Sequence, residues 1–201
     1  MPTFYEVAGI TAAFFALADI VIYILAIFGL DYRLRRTPER TVPNRVTWFI
    51  WASLGAILAA SYWASGATDT LWFAVVYATG FFIIALLSIR YGQGGPALVD
   101  VLSFLGAVIS GWAWWKYNSP EVALYATIGI DMFGAVPTIK KSWYQPGTEN
   151  RPAWLLALLG SIANVLALDW TDTSFAIAAY PLYMLLTSGL IYGFLLRQQS
   201  K

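Results

Sequence analysis

The sequence predicts an all-α membrane protein with seven transmembrane helices, and three observations carry that prediction. Of the 201 residues, 59% are hydrophobic and 17% aromatic while only 11% are charged, and the mean hydropathy is positive; the surface of a soluble domain needs about a quarter charged residues. Seven stretches approach or exceed the roughly 20 apolar residues that cross about 30 Å of hydrocarbon. Eleven of the twelve Lys and Arg fall on one side of those stretches. A β-barrel would show shorter segments of alternating hydropathy instead.

The first stretch, 7–30, lacks a basic segment before it and is expected to remain as a full span rather than be cleaved as a signal. A connection with Arg33, Arg35, Arg36, Arg40 and Arg45 leads to the second, 46–63. The third, 71–89, ends at Arg90, and Gly92-Gln93-Gly94-Gly95-Pro96 then makes a flexible joint. No Lys-Ser/Thr follows that joint, so it is no phosphate cradle. The fourth stretch, 97–115, has Asp100 near its start, read as a solvated or capping residue, and ends at Lys116. The fifth, 122–139, runs into Lys140 and Lys141; the sixth, 153–168, follows Arg151; the seventh, 175–196, is followed by Arg197 and Lys201. Lys116 alone lies on the other side, which predicts the N-terminus outside and the C-terminus inside. A lipid- or nucleic-acid-binding patch is the alternative reading of the basic loops; a bilayer partner and no nucleic acid are expected.

The chain also repeats itself. Asn44-Arg45-Val46-Thr47-Trp48 and Asn150-Arg151-Pro152-Ala153-Trp154 each precede an apolar stretch. Leu54-Gly55-x-Ile57 and Leu159-Gly160-x-Ile162 follow, then Asp69-Thr70 and Asp172-Thr173, then Tyr77 and Tyr180. Upstream, Asp19 corresponds to Asp131. The expected organisation is one membrane domain over 1–201, with a three-helix repeat over 1–91, a linker helix over 97–116 and a second repeat over 120–201. Four spans separate corresponding helices, so the two repeats run parallel in a 3+1+3 layout, which puts a substrate site at their interface near mid-membrane.

Absent residue types exclude much chemistry. With no Cys and no His there is no disulfide, no zinc or haem site from the usual ligands, and no Ser-His or Cys-His nucleophile. No catalytic residue, metal or cofactor is expected. A retinal Schiff base is disfavoured because Lys116, Lys140, Lys141 and Lys201 lie at or beyond the ends of the spans.

The polar residues within the apolar stretches are therefore the candidate site. Asp19 lies about 12 residues into the first span and Asp131 about 9 into the fifth, near mid-membrane at 1.5 Å per residue. Ionised there without a basic partner, each would cost at least about 2.5 kcal/mol. Each is expected to hold a proton or to face a wet cavity, which suits proton coupling; a neutral Asp acting as packing glue is the alternative. Trp154, Ala157, Ser161 and Asn164 share one face of the sixth helix, and Trp48, Trp51, Gly55 and Ala59 the matching face of the second. Asn164, Ser161, Trp51, Tyr77, Tyr180 and Trp154 are the predicted solute contacts, with Tyr77 and Tyr180 facing each other across the repeat axis. Trp48 and Trp154 lie a turn from the inner boundary, where interface anchoring is also expected; Trp63, Trp112, Trp114, Trp115 and Trp170 fit the outer aromatic belt. Pro137 and Pro181 are hinge candidates, since each deletes a helix hydrogen bond.

The segment Ala135-Val136-Pro137-Thr138-Ile139-Lys140-Lys141-Ser142-Trp143, followed by a short polar loop and a Trp-bearing helix, resembles the end of the first helix of a PQ-loop unit. That family includes the SWEET-like (MtN3) and SemiSWEET sugar transporters. The resemblance implies a 3+1+3 fold with its N-terminus outside and alternating-access transport of a small polar solute across a plasma membrane, expected here to be prokaryotic. Vitamin transporters of the PnuC type, also 3+1+3 with Trp-rich motifs, are the nearest alternative. An intramembrane enzyme using a buried Asp as acid on an isoprenoid and a seven-helix scaffold or receptor stay open, as does a homo-oligomer.

Overall fold

The computed structural model describes residues 2–30, 40–43, 45–92, 98–144 and 146–199. Arg33, Arg35, Arg36, Asn44, residues 93–96 of the glycine-rich joint and Lys201 lie outside the described residues, as do the side chains of Asp100 and Pro137. Seven α-helices are formed among the described residues: α1 (Phe4–Ile27), α2 (Arg45–Ala64), α3 (Leu71–Tyr91), α4 (Leu98–Tyr117), α5 (Pro120–Tyr144), α6 (Arg151–Leu166) and α7 (Phe175–Leu195). Among the described residues there is no strand. Five helices among the described residues are long and apolar enough to cross a membrane: α1, the Thr47–Ala64 part of α2, α3, α5 and α7. This is the build of a multi-pass membrane protein. At 16 residues, α6 is shorter than the roughly 20 of a full span.

Local chemistry sets the helix ends. Thr3 and Glu6 close a reciprocal capping box at the start of α1. At its other end Gly29, with φ of 73°, lets the Leu30 amide reach the Leu25 carbonyl at 2.9 Å, a left-handed closure that favours glycine. Gly66 closes α2 in the same way, the Ala67 amide reaching Tyr62. The Asn150 side chain accepts from the Ala153 amide at 2.9 Å and so caps α6. Arg45 acts between helices: its guanidinium donates to the carbonyls of Ser88, Ile89 and Gly92, satisfying the C-terminal end of α3. In the turn after α6, the hydroxyl and amide of Thr171 donate to Asp169 and hold its carboxyl below the usual carboxylate range.

The helices are apolar outside and finely graded inside. On α1, Ile10, Phe14, Leu17 and Val21 are exposed, while Ala12, Ala16, Ile20 and Tyr23 are buried. Outward Leu and Phe suit lipid; inward small residues let backbones approach. A Cβ on Gly160 would lie 3.3 Å from the Ala12 carbonyl oxygen, and one on Gly80 would collide with Ile20. Consequently α1 packs closely on α6 and on α3. The full pattern is two trios. In one, α3 lies against both α1 and α2; in the other, α7 lies against both α5 and α6. The trios meet along α1 on α6 and α2 on α5, and α4 covers α5 and part of α2. Trp63, Trp112, Trp115 and Trp170 are exposed.

Candidate functional site

Between the trios lies a cavity that draws on six of the seven helices. It offers about 60 Å³ to the centres of water-sized atoms, against the roughly 10–15 Å³ that one water requires. Asp19 and Tyr23 reach it from α1, Trp48 and Trp51 from α2, Tyr77 and Phe81 from α3. Asp131 reaches it from α5, Trp154 and Ala157 from α6, and Tyr183, Met184, Thr187 and Ser188 from α7.

Each carboxyl is held by a phenol of its own trio. The Tyr77 hydroxyl donates to Asp19 at 3.0 Å, and the Tyr183 hydroxyl donates to Asp131. Among the described residues the lining includes no Lys or Arg. A buried acid with neither a cationic partner nor full solvation is costly in the charged form; one hydrogen bond and an adjoining wet cavity lower that cost without cancelling it. These are proton-binding or cation-binding groups by chemistry.

The two ends of the cavity differ. Towards the basic connections it adjoins a vestibule of about 50 Å³, sharing Tyr23, Trp48, Trp51 and Trp154 with it and adding Thr47, Thr138, Lys141 and Glu149. There Lys141 pairs with Glu149 at 2.9 Å, and the Trp154 indole N–H donates to the same carboxylate at 3.1 Å. At the opposite end, aromatic packing closes the path: Phe73 stands 4.7 Å from Tyr77 and 6.2 Å from Tyr180, and Tyr62 stands 5.4 Å from Tyr180, between ring centroids. Tyr62 also bridges the trios. Its hydroxyl donates to the Ile177 carbonyl at 3.0 Å and accepts from the Thr70 hydroxyl at 2.7 Å. That carbonyl is free because Pro181, four residues on and inside α7, has no N–H to return to it.

Of the predicted contacts, Trp51, Tyr77, Trp154, Asp19 and Asp131 line the cavity. Tyr180 lines a smaller neighbouring space with Thr127 and Asp131, and Phe73 touches both Tyr77 and Tyr180. Ser161 stands behind the wall, receiving a hydrogen bond from Ser188 at 3.2 Å and donating to Ala157. Asn164 lines none of these spaces; it is fully buried and both its amide atoms lack a partner. Trp48, for which anchoring at the interface was the competing expectation, is 7% exposed and packs on Tyr23, Trp51 and Phe81.

Sequence reasoning passed over Tyr23, Phe81, Tyr183, Met184, Thr187, Ser188 and the Lys141–Glu149 pair. A signal existed for α7, where Tyr180, Tyr183, Thr187 and Ser188 recur at helical spacing in an otherwise apolar run. No protein-family model matches the chain, and no curated protein or solved structure matches it.

Proposed function

We propose that the chain is an alternating-access transporter or facilitator of a small polar solute, coupled to protons through Asp19 and Asp131. The observation that carries this reading is a pair of carboxyls, on α1 and α5, each bonded to a tyrosine of its own trio and both fronting one cavity between the trios. The packing pattern supports a duplication behind it. Exchange α1 with α5, α2 with α6 and α3 with α7, and each main contact among these six helices maps onto another: α1 on α6 becomes α5 on α2, and α3 between α1 and α2 becomes α7 between α5 and α6. Parallel repeats joined through α4 have their natural substrate site at that interface. A cavity closed by rings at one end and adjoining a vestibule at the other is what one state of an alternating-access cycle requires. The resemblance of the α5 end to PQ-loop transporters points the same way. With basic connections inside, the N-terminus is outside and the vestibule faces the cytoplasm of a prokaryotic cell.

Reconstitution tests it. Purified protein in liposomes should take up a soluble solute saturably from a panel of sugars, amines and vitamins, and a pH gradient should drive accumulation. Turnover of an isoprenoid lipid in detergent, with no uptake of any soluble solute, would replace the transporter by an intramembrane enzyme. Orientation is read separately in this cysteine-free chain. A cysteine at Ser65 should react with an impermeant thiol reagent from outside intact cells, and one at Tyr144 should not; the reverse pattern refutes the assignment.

A further inference from the structure

Among the described residues, the cavity between the trios carries two acids and nothing positive to match them. Its described lining has no Lys or Arg, and the Lys141 side chain of the adjoining vestibule is paired with Glu149. The remaining wall is dominated by rings. Tyr23, Trp48, Trp51 and Phe81 form a connected aromatic surface with centroid separations from 4.9 to 5.6 Å, and Trp154 completes it from the other trio. Aromatic faces carry negative potential, and they attract an organic cation most strongly where water is excluded.

Other ligand chemistries fit this wall less well. An anion would meet two carboxyls. A sugar would need many donors and acceptors, and apart from the two acids and their tyrosines the cavity offers chiefly Thr187 and Ser188. A metal ion would need several hard ligands, and among the described residues no cluster of three His, Cys, Asp or Glu exists.

We propose that this cavity binds an organic cation, a quaternary or protonated amine, between the Trp48, Trp51 and Phe81 rings and the carboxylates of Asp19 and Asp131. The ligand chemistry rests on the lining itself; that the cation is then carried across the membrane rests on the transporter reading. Because cation and proton compete for the same carboxyls, binding weakens as the medium is acidified, and the exchange is an antiport. The other titratable groups facing the two acids are Tyr77, Tyr183, Tyr23 and Tyr180, phenols that ordinarily titrate near pH ~10, with Lys141 and Glu149 in the vestibule; α2 and α6 bring none to the cavity.

The test uses the purified full chain in detergent, with choline chloride and tetramethylammonium chloride as probes and 3,3-dimethyl-1-butanol as the uncharged isostere of choline. Calorimetric titration should show at least one of the two cations binding at pH 8 at least tenfold more tightly than the isostere, and more weakly at pH 5.5. Asp19→Asn and Asp131→Asn keep a hydrogen-bonding group for their tyrosines; each should weaken the cation at least tenfold while thermal unfolding stays within a few degrees of the parent. Equal affinity for cation and isostere, binding unchanged in the double Asn variant, or no binding of either cation would overturn the proposal. Cation binding with this profile but no uptake into liposomes would leave the site standing and remove the transporter. Uptake of an uncharged solute with no cation binding would do the opposite.

Discussion

The two acid–tyrosine pairs are built alike and supported differently. Asp19 and Tyr77 sit on α1 and α3, helices with no proline, locked together where Ile20 fills the space over Gly80. Asp131 and Tyr183 sit on α5 and α7, and both of these contain a proline, Pro137 and Pro181. The walls differ in the same sense. The first trio supplies an interlocked aromatic surface, while beside its acid and tyrosine the second supplies a single indole, Trp154, among Ala157, Met184, Thr187 and Ser188. On the duplication proposed above, the two trios can thus divide the labour, one holding a rigid face and the other changing shape against it. Helices with a missing hydrogen bond bend more readily than uninterrupted ones. On the proposed transporter reading, the comparison therefore assigns the moving acid to Asp131 and the fixed one to Asp19.

Loss of the moving acid should have the largest effect. Asp131→Asn keeps the shape and the bond to Tyr183 but cannot release a proton, so accumulation driven by a pH gradient in proteoliposomes should fall at least tenfold while solute exchange persists. Asp19→Asn should reduce accumulation less. Equal losses in the two variants would break the assignment of rigid and moving trios, and normal accumulation in Asp131→Asn would make that acid structural glue.

The next effect concerns the sealed end. Tyr62 ties the trios through the carbonyl that Pro181 leaves free, so opening that end must break one hydrogen bond of about 1 kcal/mol net, and a buried carbonyl left unpaired costs about 1–3 kcal/mol. Tyr62→Phe removes the bond in the closed state alone and should shift the population towards opening by about five- to tenfold. A cysteine at Ala176, 3% exposed in this state, reports it as faster labelling by an impermeant thiol reagent. Unchanged labelling would mean that ring packing, not the hydroxyl, holds the end shut.

These relations show which parts of the molecule could be read from its sequence. Seven helices and their approximate bounds were legible because lipid demands long apolar runs, and the two mid-span acids stood out because hydrocarbon makes every charge conspicuous. The partner of Asp131 was not legible. Tyr180 matches Tyr77 in the repeat, yet the phenol that reaches Asp131 is Tyr183, one turn further, where the first trio has Gly80. Spacing identifies equivalent positions, but which side chain spans a gap depends on how closely two helices pack, and that is a property of both together. Glu149 was missed for a related reason. It lies in the loop before α6 in sequence and folds back to Lys141 and Trp154 only once α5 and α6 are side by side. The Asn150 motif, by contrast, has a local meaning in the N-cap of α6.

The smallest expected effect sharpens the same comparison at Asn164. The Leu-Gly-x-Ile landmarks pair this residue with Ala59, an apolar residue partly buried against the core, whereas Asn164 is fully buried with an amide that has no partner on either atom. A buried amide without partners costs about 1–3 kcal/mol relative to a satisfied one, and leucine has the same branched skeleton of four side-chain heavy atoms with bulkier ends. If the amide only fills a scaffold position, Asn164→Leu gives it an apolar side chain like its counterpart's and removes the unsatisfied amide, so it should raise stability by about 1 kcal/mol, with transport unchanged. If instead the amide finds its partner in another state of the cycle, the same substitution should leave the thermal midpoint of this state unchanged or raised while slowing uptake, because the state it supports has lost its bond. The rigid-and-moving picture predicts the second outcome, since Asn164 belongs to the trio with the prolines and an amide that is unpaired in one arrangement is what a switching helix can use in the other. A raised midpoint with full transport would assign Asn164 to packing and confine the moving parts to α5 and α7.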